Sequence, residues 1–283
     1  MSKENGTCRV SSTWEYLRLI GVPDMRGRTS PLDPGYDPAT LESHLEQSGH
    51  LISLLKISMA CWQVADEKST RKKVDAARRL GVAVGTGGGP FEVAAFFGKL
   101  PEYFDLCADI GADRIEAGQG FIPNELNPRE IVALASQRGL DVQFEIGDKH
   151  GGAFTQEVAQ ELIDLGRRWL DAGAKQIVVE ARENAQDVGL FNGGGQFDAR
   201  LADAFAGAFG MEVAVFEAPN KASQFALLNH FGPEVHLSNV RLEELLRVEI
   251  YRRGLHSDAF MHKNLRPKGP CGFDSKGREF NAR

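Results

Sequence analysis

Cysteine is scarce in this sequence: Cys8, Cys61, Cys107 and Cys271 are the only four in 283 residues. No two form a CxxC pair and their spacing fits no zinc template, so neither a disulfide scaffold nor a structural zinc site is expected. Long apolar runs are missing as well. None approaches the ~18 residues that cross a bilayer, and the opening stretch MSKENGTCRVSSTWEY has no apolar segment of the secretory kind. The expectation is a soluble cytoplasmic protein with no membrane partner. There is no basic excess either. The net charge of −6 argues against nucleic acid as a partner. No HExxH, no Ser-His-Asp arrangement and no nucleophile elbow can be read; the segment AREN at 181–184 carries no serine. Two histidines, His150 and His236, are set aside, the second as a packed residue inside a strand.

What the chain does have is alternation. Short runs rich in Val, Ile and Leu occur at 17–22, 51–58, 81–86, 112–117, 140–146, 174–181, 211–217 and 233–239, each followed by a longer helical pattern. Continuous apolar runs of this length suit strands buried on both faces of a parallel sheet. Thr155 is placed to cap a helix over 154–172, with Val158, Leu162, Leu165 and Leu170 near one face. Pro128 takes a first-turn position after Asn127. Gly81, Gly111, Gly139 and Gly173 stand between helix and strand, where a left-handed cap is useful. Eight strand-helix units predict one (β/α)₈ barrel over residues 1–260. A doubly wound sheet is the alternative, but the first run is followed by PDMRGRTSPLDPGYDP, which is no GxGxxG. Residues 261–283 are polar, basic and rich in Gly and Pro. They form either a surface tail or an arm reaching a site or a neighbouring subunit.

Four consecutive runs end in glutamate: Glu116 in RIEAG, Glu145 in QFEIG, Glu180 in VVEAR and Glu217 in VFEAP. The carboxyl ends of barrel strands share one face, where active sites lie, so these carboxylates converge. Converging anions need positive charge among them. Either a bound Mg²⁺, which prefers hard oxygen ligands, or nearby cations supply it. Lys56 lies inside an apolar run, a costly place for an unpaired amine. Lys149, four residues after Glu145, reaches the same mouth; a lowered pKa there would let it exchange protons near neutrality. Arg182, next to Glu183 in a long Gly-rich loop, suits binding of a phosphate, carboxylate or sulfonate. Lys221 and Asn239 follow the last two strands, and Asp24 closes the first run. The loop GTGGG at 85–89 offers Gly87 and Gly88 as a backbone anion cradle at a helix start, though no GK[ST] follows.

Together these segments resemble a known family. GVAVGTGGGPFEVAAFFGKLPEYFDLCADIGADRIEAG, FEIGDK, VVEARENAQDVGLF, VFEAPNKASQFALLNHFGPEVHLSNV and EIYRRGLHSDAF are similar to phosphosulfolactate synthases over about residues 14–260. The resemblance implies a Mg²⁺-dependent, homo-oligomeric barrel that adds sulfite to phosphoenolpyruvate to give (2R)-3-sulfo-2-phospholactate, a step toward coenzyme M. It implies Lys149 as the acid that protonates C2, and Arg182, Lys56 and Lys221 as anion holders. Plant heat-stress-associated proteins share the pattern, so a non-catalytic relative is a second reading. A lyase or aldolase with Lys56 or Lys149 as Schiff-base nucleophile is a third. Two stretches depart from the family. After the fourth run, ISDGSS is replaced by Ala117-Gly118-Gln119-Gly120-Phe121-Ile122, which makes Gln119 a candidate contact. After the first, a short L-D-K-G turn is replaced by Asp24-Met25-Arg26-Gly27-Arg28.

Overall fold

The computed structural model describes residues 12–57, 59–123 and 125–269. Its elements run α1 (Thr13–Leu19), β1 (Thr29–Asp33), α2 (Pro38–Ser48), β2 (Leu55–Ile57), α3 (Cys61–Val64), α4 (Glu67–Arg79), β3 (Val84–Thr86), α5 (Gly88–Phe96), α6 (Leu100–Asp109), β4 (Arg114–Gly118), α7 (Pro128–Ser136), β5 (Asp141–Ile146), α8 (Gln156–Ala172), β6 (Gln176–Val179), α9 (Ala199–Phe209), β7 (Ala214–Glu217), α10 (Lys221–Phe231), β8 (His236–Arg241), α11 (Leu245–Arg252) and α12 (Ser257–Phe260). All eight strands are parallel and close on themselves in sequence order. This is a (β/α)₈ barrel, as the alternation predicts.

The alternation of side chains explains its layers. Ile115, Val142, Phe144, Ile177, Val179, Ala214, Phe216 and Leu237 join the helices in one continuous apolar core. Phe144 stacks on Trp169 of α8 with ring centroids 4.1 Å apart. The residues between them line the barrel interior, and that interior is largely polar. Arg114 donates to Gln176 Oε1 at 2.6 Å across it. Val178 and Val215 are buried there, outside the main apolar cluster. The hydrophobic core therefore lies between sheet and helices, and the ring encloses charge.

The first expected strand is an error of assignment. LRLIGV is the end of α1 and its cap: the Ser12 side chain accepts from Glu15 N and Gly21 takes φ +79°, ending the helix. The true β1, TSPLD, carries a serine and a proline and so lacks an apolar signature. Pro31 sits where the β1–β8 register shifts, a position at which a missing N–H is tolerated. Asp24 consequently closes no strand and is exposed. Asp33 takes that place, buried and paired with Lys73 Nζ at 2.5 Å while accepting from Gly35 N and Tyr36 N. The L-D-x-G turn thus falls at Leu32-Asp33-Pro34-Gly35, with proline in the lysine position. The remaining strands lie within the expected runs, except that β4 and β8 extend past them by one and two residues.

Local signals hold elsewhere. Gly173 caps α8 at φ +111°, and Gly81, Gly111 and Gly139 also adopt positive φ. The buried face of α8 is Ala159, Ile163, Gly166 and Trp169, with Leu162, Leu165 and Leu170 packed beside it; Val158 is exposed. Thr155 Oγ1 accepts from Val158 N at 3.3 Å. Thr155→Ala should cost about 1 kcal/mol in urea denaturation, and an unchanged midpoint would show the cap to be idle. Past α12, Leu265 is buried, and a Cβ at Gly254 would lie 2.2 Å from its carbonyl oxygen, so the chain beyond residue 260 continues onto the barrel. Residues 270–283 of the expected tail, together with Cys8 and Cys271, lie outside the described residues. Among the described residues, no helix is long and apolar enough to cross a membrane.

Candidate active site

The carboxyl ends of the strands surround a cavity of about 750 Å³. Glu145 ends the inward row of β5, Glu180 follows β6, and Glu217 ends β7. Glu145, Glu180 and Glu217 are buried, and each offers one carboxylate oxygen within 4.8 Å of the others. Lys149 Nζ bridges two of them, at 2.6 Å from Glu145 Oε1 and 2.6 Å from Glu180 Oε2. Glu217 Oε2 accepts from Ala181 N at 2.8 Å and Arg182 N at 3.1 Å. Its other oxygen accepts from Asn239 Nδ2 and lies 3.8 Å from Lys56 Nζ.

Glu116 stands apart from this trio. It pairs with Gln143 in the register, one inward layer below Glu145. Its oxygens are already taken by Lys56 Nζ at 2.7 and 3.0 Å, Gly88 N at 3.0 Å and Gln143 Nε2 at 2.8 Å. Its observed role is therefore to hold Lys56 and the start of α5 in place. The same bond occupies Gly88 N, which narrows the expected backbone cradle. Gly88 and Gly89 line the cavity, but Gly87 does not.

Charge and burial compete at each group. Burial pushes the Glu217 carboxyl up, and neighbouring Glu180 and Glu145 push it further, so it stands well above the usual carboxylate range. Glu180 is raised by burial and by Glu145 despite Lys149. Glu145 behaves oppositely: burial alone would raise it, but Lys149 and Lys56 hold it down at about 2. Burial works against both lysines, yet the surrounding carboxylates outweigh it. Lys149 is raised by Glu145, Glu180 and Glu217, and Lys56 by Glu116, Glu217 and Glu145. This reverses the expected lowering at Lys149. The carboxylates hold its ammonium protonated.

Three carboxylates this close, two of them resisting ionisation, are chemically matched to a hard divalent cation such as Mg²⁺. Glu145, Glu180 and Glu217 are the residues that would hold it.

Other expected residues divide between wall and periphery. Arg182 and Asn239 line the cavity, and both adopt left-handed backbone, φ +54°. Non-glycine residues in that region carry strain typical of functional loops. Arg182 donates to Lys149 O at 3.0 Å, tying the two loops together. Lys221 is exposed at the start of α10, with Nζ 5.2 Å from the Phe225 ring centroid, and does not reach the wall. Gln119 does not line the cavity; its neighbour Phe121 does. His236 begins β8 at the opposite end of the barrel, beside Arg28, and burial with that charge lowers it to about 4. His150 is exposed, its backbone N donating to Asp148 Oδ1. Asp24 plays no part in the cavity.

Several contributors escaped the sequence reading. Arg241 lines the cavity and pairs with Glu243 at 2.6 Å. Glu92, fully buried on α5, accepts from Phe121 N at 2.9 Å and fixes the loop after β4. Its carboxyl is raised by burial. A lone carboxylate within PFEVAAFF was the available signal. Gln143 was likewise legible as a polar residue inside VQFE.

The family-like segments acquire physical roles. In GLF, Gly189 takes φ +57° and a Cβ there would lie 1.9 Å from the Glu180 carbonyl oxygen. In EIGDK, a Cβ at Gly147 would meet Glu180 Cβ at 2.7 Å. Gln224, fully buried, ties Ala218 O to Glu244 and accepts from Arg247, anchoring the turn after Glu217.

A closed parallel barrel with a carboxylate-ammonium cluster at its carboxyl mouth defines a (β/α)₈ protein with a site of enzymatic type. A family model described as (2R)-phospho-3-sulfolactate synthase (ComA) matches residues 21–258. The phosphosulfolactate synthase of Methanocaldococcus jannaschii is 31% identical over 236 residues, 83% of this chain and 94% of that one. That of Bacillus subtilis is 23% identical, covering 84% of this chain and 94% of its own. Among solved structures, the YdjI aldolase from Escherichia coli K12 shares the fold at a TM-score of 0.53 and 12% identity, over 86% of each chain. The chain belongs to the phosphosulfolactate synthase family.

Proposed function

We propose that this protein is a carbon–sulfur lyase-class enzyme that adds sulfite to phosphoenolpyruvate, giving (2R)-3-sulfo-2-phospholactate. The observation that carries this reading is the Lys149 ammonium, 2.6 Å from both Glu145 and Glu180 at the mouth of a barrel of this family. The sulfur lone pair forms a bond to C3. The C2–C3 double-bond pair moves toward the carboxylate, and a proton delivered to C2 completes the addition with the phosphate ester retained. Lys149, 2.6 Å from two of the carboxylates, is the proton donor; a divalent ion among those carboxylates would offset the charge that holds its proton, and solvent restores it. When bound, Mg²⁺ supplies positive charge that stabilises the charge developing on the substrate carboxylate. Arg182 and Arg241 bring guanidinium groups to the cavity wall, where they suit phosphate and sulfonate oxygens. Lys56 sits deeper, fastened to Glu116, and adds its charge to the floor.

Each lysine is committed to carboxylates, Lys56 to Glu116 and Lys149 to Glu145 and Glu180, which disfavours a Schiff-base nucleophile. The intact carboxylate-lysine cluster disfavours a non-catalytic scaffold. The reading includes a cytoplasmic setting and a homo-oligomer; the exposed Phe96 and Phe97 support the assembly.

Phosphorus-31 NMR of the protein with Mg²⁺, phosphoenolpyruvate and sulfite tests the reaction. The expected result is a new phosphate-ester resonance and loss of substrate. An unchanged spectrum would overturn it. Mg²⁺ alone should raise the melting temperature by several degrees, and Glu217→Gln should remove most of that shift.

A further inference from the structure

The mouth of the barrel is divided. Its charged half comes from the loops after β5 to β8: Glu145, Lys149, Glu180, Arg182, Glu217 and Arg241. The facing half comes from β1 to β4 and is apolar: Leu32, Pro34, Met59, Pro90, Val93 and Phe121. Gln63 and Lys56 are the polar side chains on that side, and the Lys56 amine is turned to Glu116 and Glu217. Met59, Val93 and Phe121 are 50%, 49% and 44% exposed, an unusual amount of apolar surface to leave wet beside a buried charge cluster.

The volume points the same way. Phosphoenolpyruvate and sulfite together have about fourteen non-hydrogen atoms. At roughly 30 Å³ each, the volume of a whole water in the liquid, they fill about 420 Å³. The cavity holds about 750 Å³. The unfilled part adjoins the apolar wall. That wall is built, not incidental. Phe121 is held by its backbone N–H to the fully buried Glu92. The same loop packs on the catalytic lysine: Lys149 N donates to Gly120 O at 3.0 Å, and a Cβ at Gly120 would lie 3.0 Å from Lys149 Cγ. Met59 adopts left-handed backbone, φ +49°.

We infer that this site also accepts acids that carry an apolar substituent, an aryl or branched alkyl group on C3, which seats against Met59, Val93 and Phe121 while the anionic head occupies the charged half. The inference rests on the proposed reading of the charged half as the seat of a small anionic carboxylic acid. It extends the substrate class from phosphoenolpyruvate to C3-substituted relatives of it. Burying a phenyl-sized surface against such a wall should tighten binding at least about tenfold.

The test is calorimetric titration of the whole protein in Mg²⁺ buffer with pyruvate and with phenylpyruvate, followed by displacement with phosphoenolpyruvate. Phenylpyruvate should bind at least about tenfold more tightly than pyruvate. Phe121→Ala and Met59→Ala, both at exposed positions that the fold does not need, should each shrink that advantage about threefold or more. Equal affinities, no binding of either acid, or an advantage untouched by both substitutions would overturn the inference. Failure of phosphoenolpyruvate to displace bound phenylpyruvate would instead sink the enol-phosphate reading while leaving the apolar subsite standing. Displacement with equal affinities would do the reverse.

Discussion

Lys149→Met should yield a folded barrel with kcat lowered by roughly 10²–10⁴-fold, the range for loss of a general acid. Its ammonium stands within 2.6 Å of two of the cluster's carboxylates. The same substitution leaves Glu145, Glu180 and Glu217 without their nearest cation. Their mutual repulsion then raises all three carboxyls, as it already raises Glu180 and Glu217. The sign of the stability effect follows. A carboxyl whose folded pKa exceeds its unfolded value binds protons on folding, so the variant should grow more stable as pH falls through that folded value. Glu145 in the native protein works the other way. Held at about 2, it contributes stability above the ordinary carboxylate range that is lost as pH falls toward 2. Melting curves at pH 3, pH 5 and pH 8 read both effects. Lys149→Arg separates the two roles, since it keeps the charge and removes a readily transferable proton. It should restore the native pH trend and leave activity low. Full activity in either variant would eliminate Lys149 as the acid.

Gly189→Ala should be nearly as damaging, although residue 189 bears no side chain at all. The added Cβ would lie 1.9 Å from the Glu180 carbonyl oxygen, a distance no rotamer can relieve. Its φ of +57° adds strain for any L-residue. Either the loop after β6 lifts away or Glu180 moves, and the neighbouring bond from Phe154 N to Gly189 O at 2.8 Å resists the first. A stability loss of about 2–4 kcal/mol is expected by denaturant titration. Activity should fall on the order of 10²-fold, as for ångström-scale misplacement of a catalytic group. A variant with native stability and turnover would mean that the close approach is not needed.

The barrel was legible because its chemistry repeats. Seven apolar runs coincide with strands, β4 and β8 reaching one and two residues past theirs, since residues such as Ile177 and Val179 must be apolar to meet the helices. The exception has a physical cause. β1 carries Ser30 and Pro31 at the seam with β8, so it lacks the apolar signature, while the amphipathic Leu17-Arg18-Leu19-Ile20 imitated one. Glutamates at strand ends announced the site, but depth did not show in the sequence. Glu116 and Glu145 occupy equivalent places in their segments, yet the stagger between strands sets one a layer below the other. The rise of the Lys149 pKa depended on that arrangement too. A run of letters places the lysine near one glutamate, whereas the fold adds a second and a third. Lys221 and Gln119 illustrate the limit: both follow strands at the mouth, yet neither lines the cavity.

Arg252 lies fully buried at the foot of the barrel, where it donates to Pro233 O, Val235 O, Arg28 O and Thr29 Oγ1. One guanidinium thereby clasps the first and last strands of the ring. During synthesis the two sides of that seam emerge more than two hundred residues apart, and the clasp emerges after both. A nascent chain can stack its inner strands early, but the sheet keeps two unpaired edges until β8 is available to pair with β1. Until that seam closes, the edges of β1 and β8 are the surfaces a chaperone would need to shield.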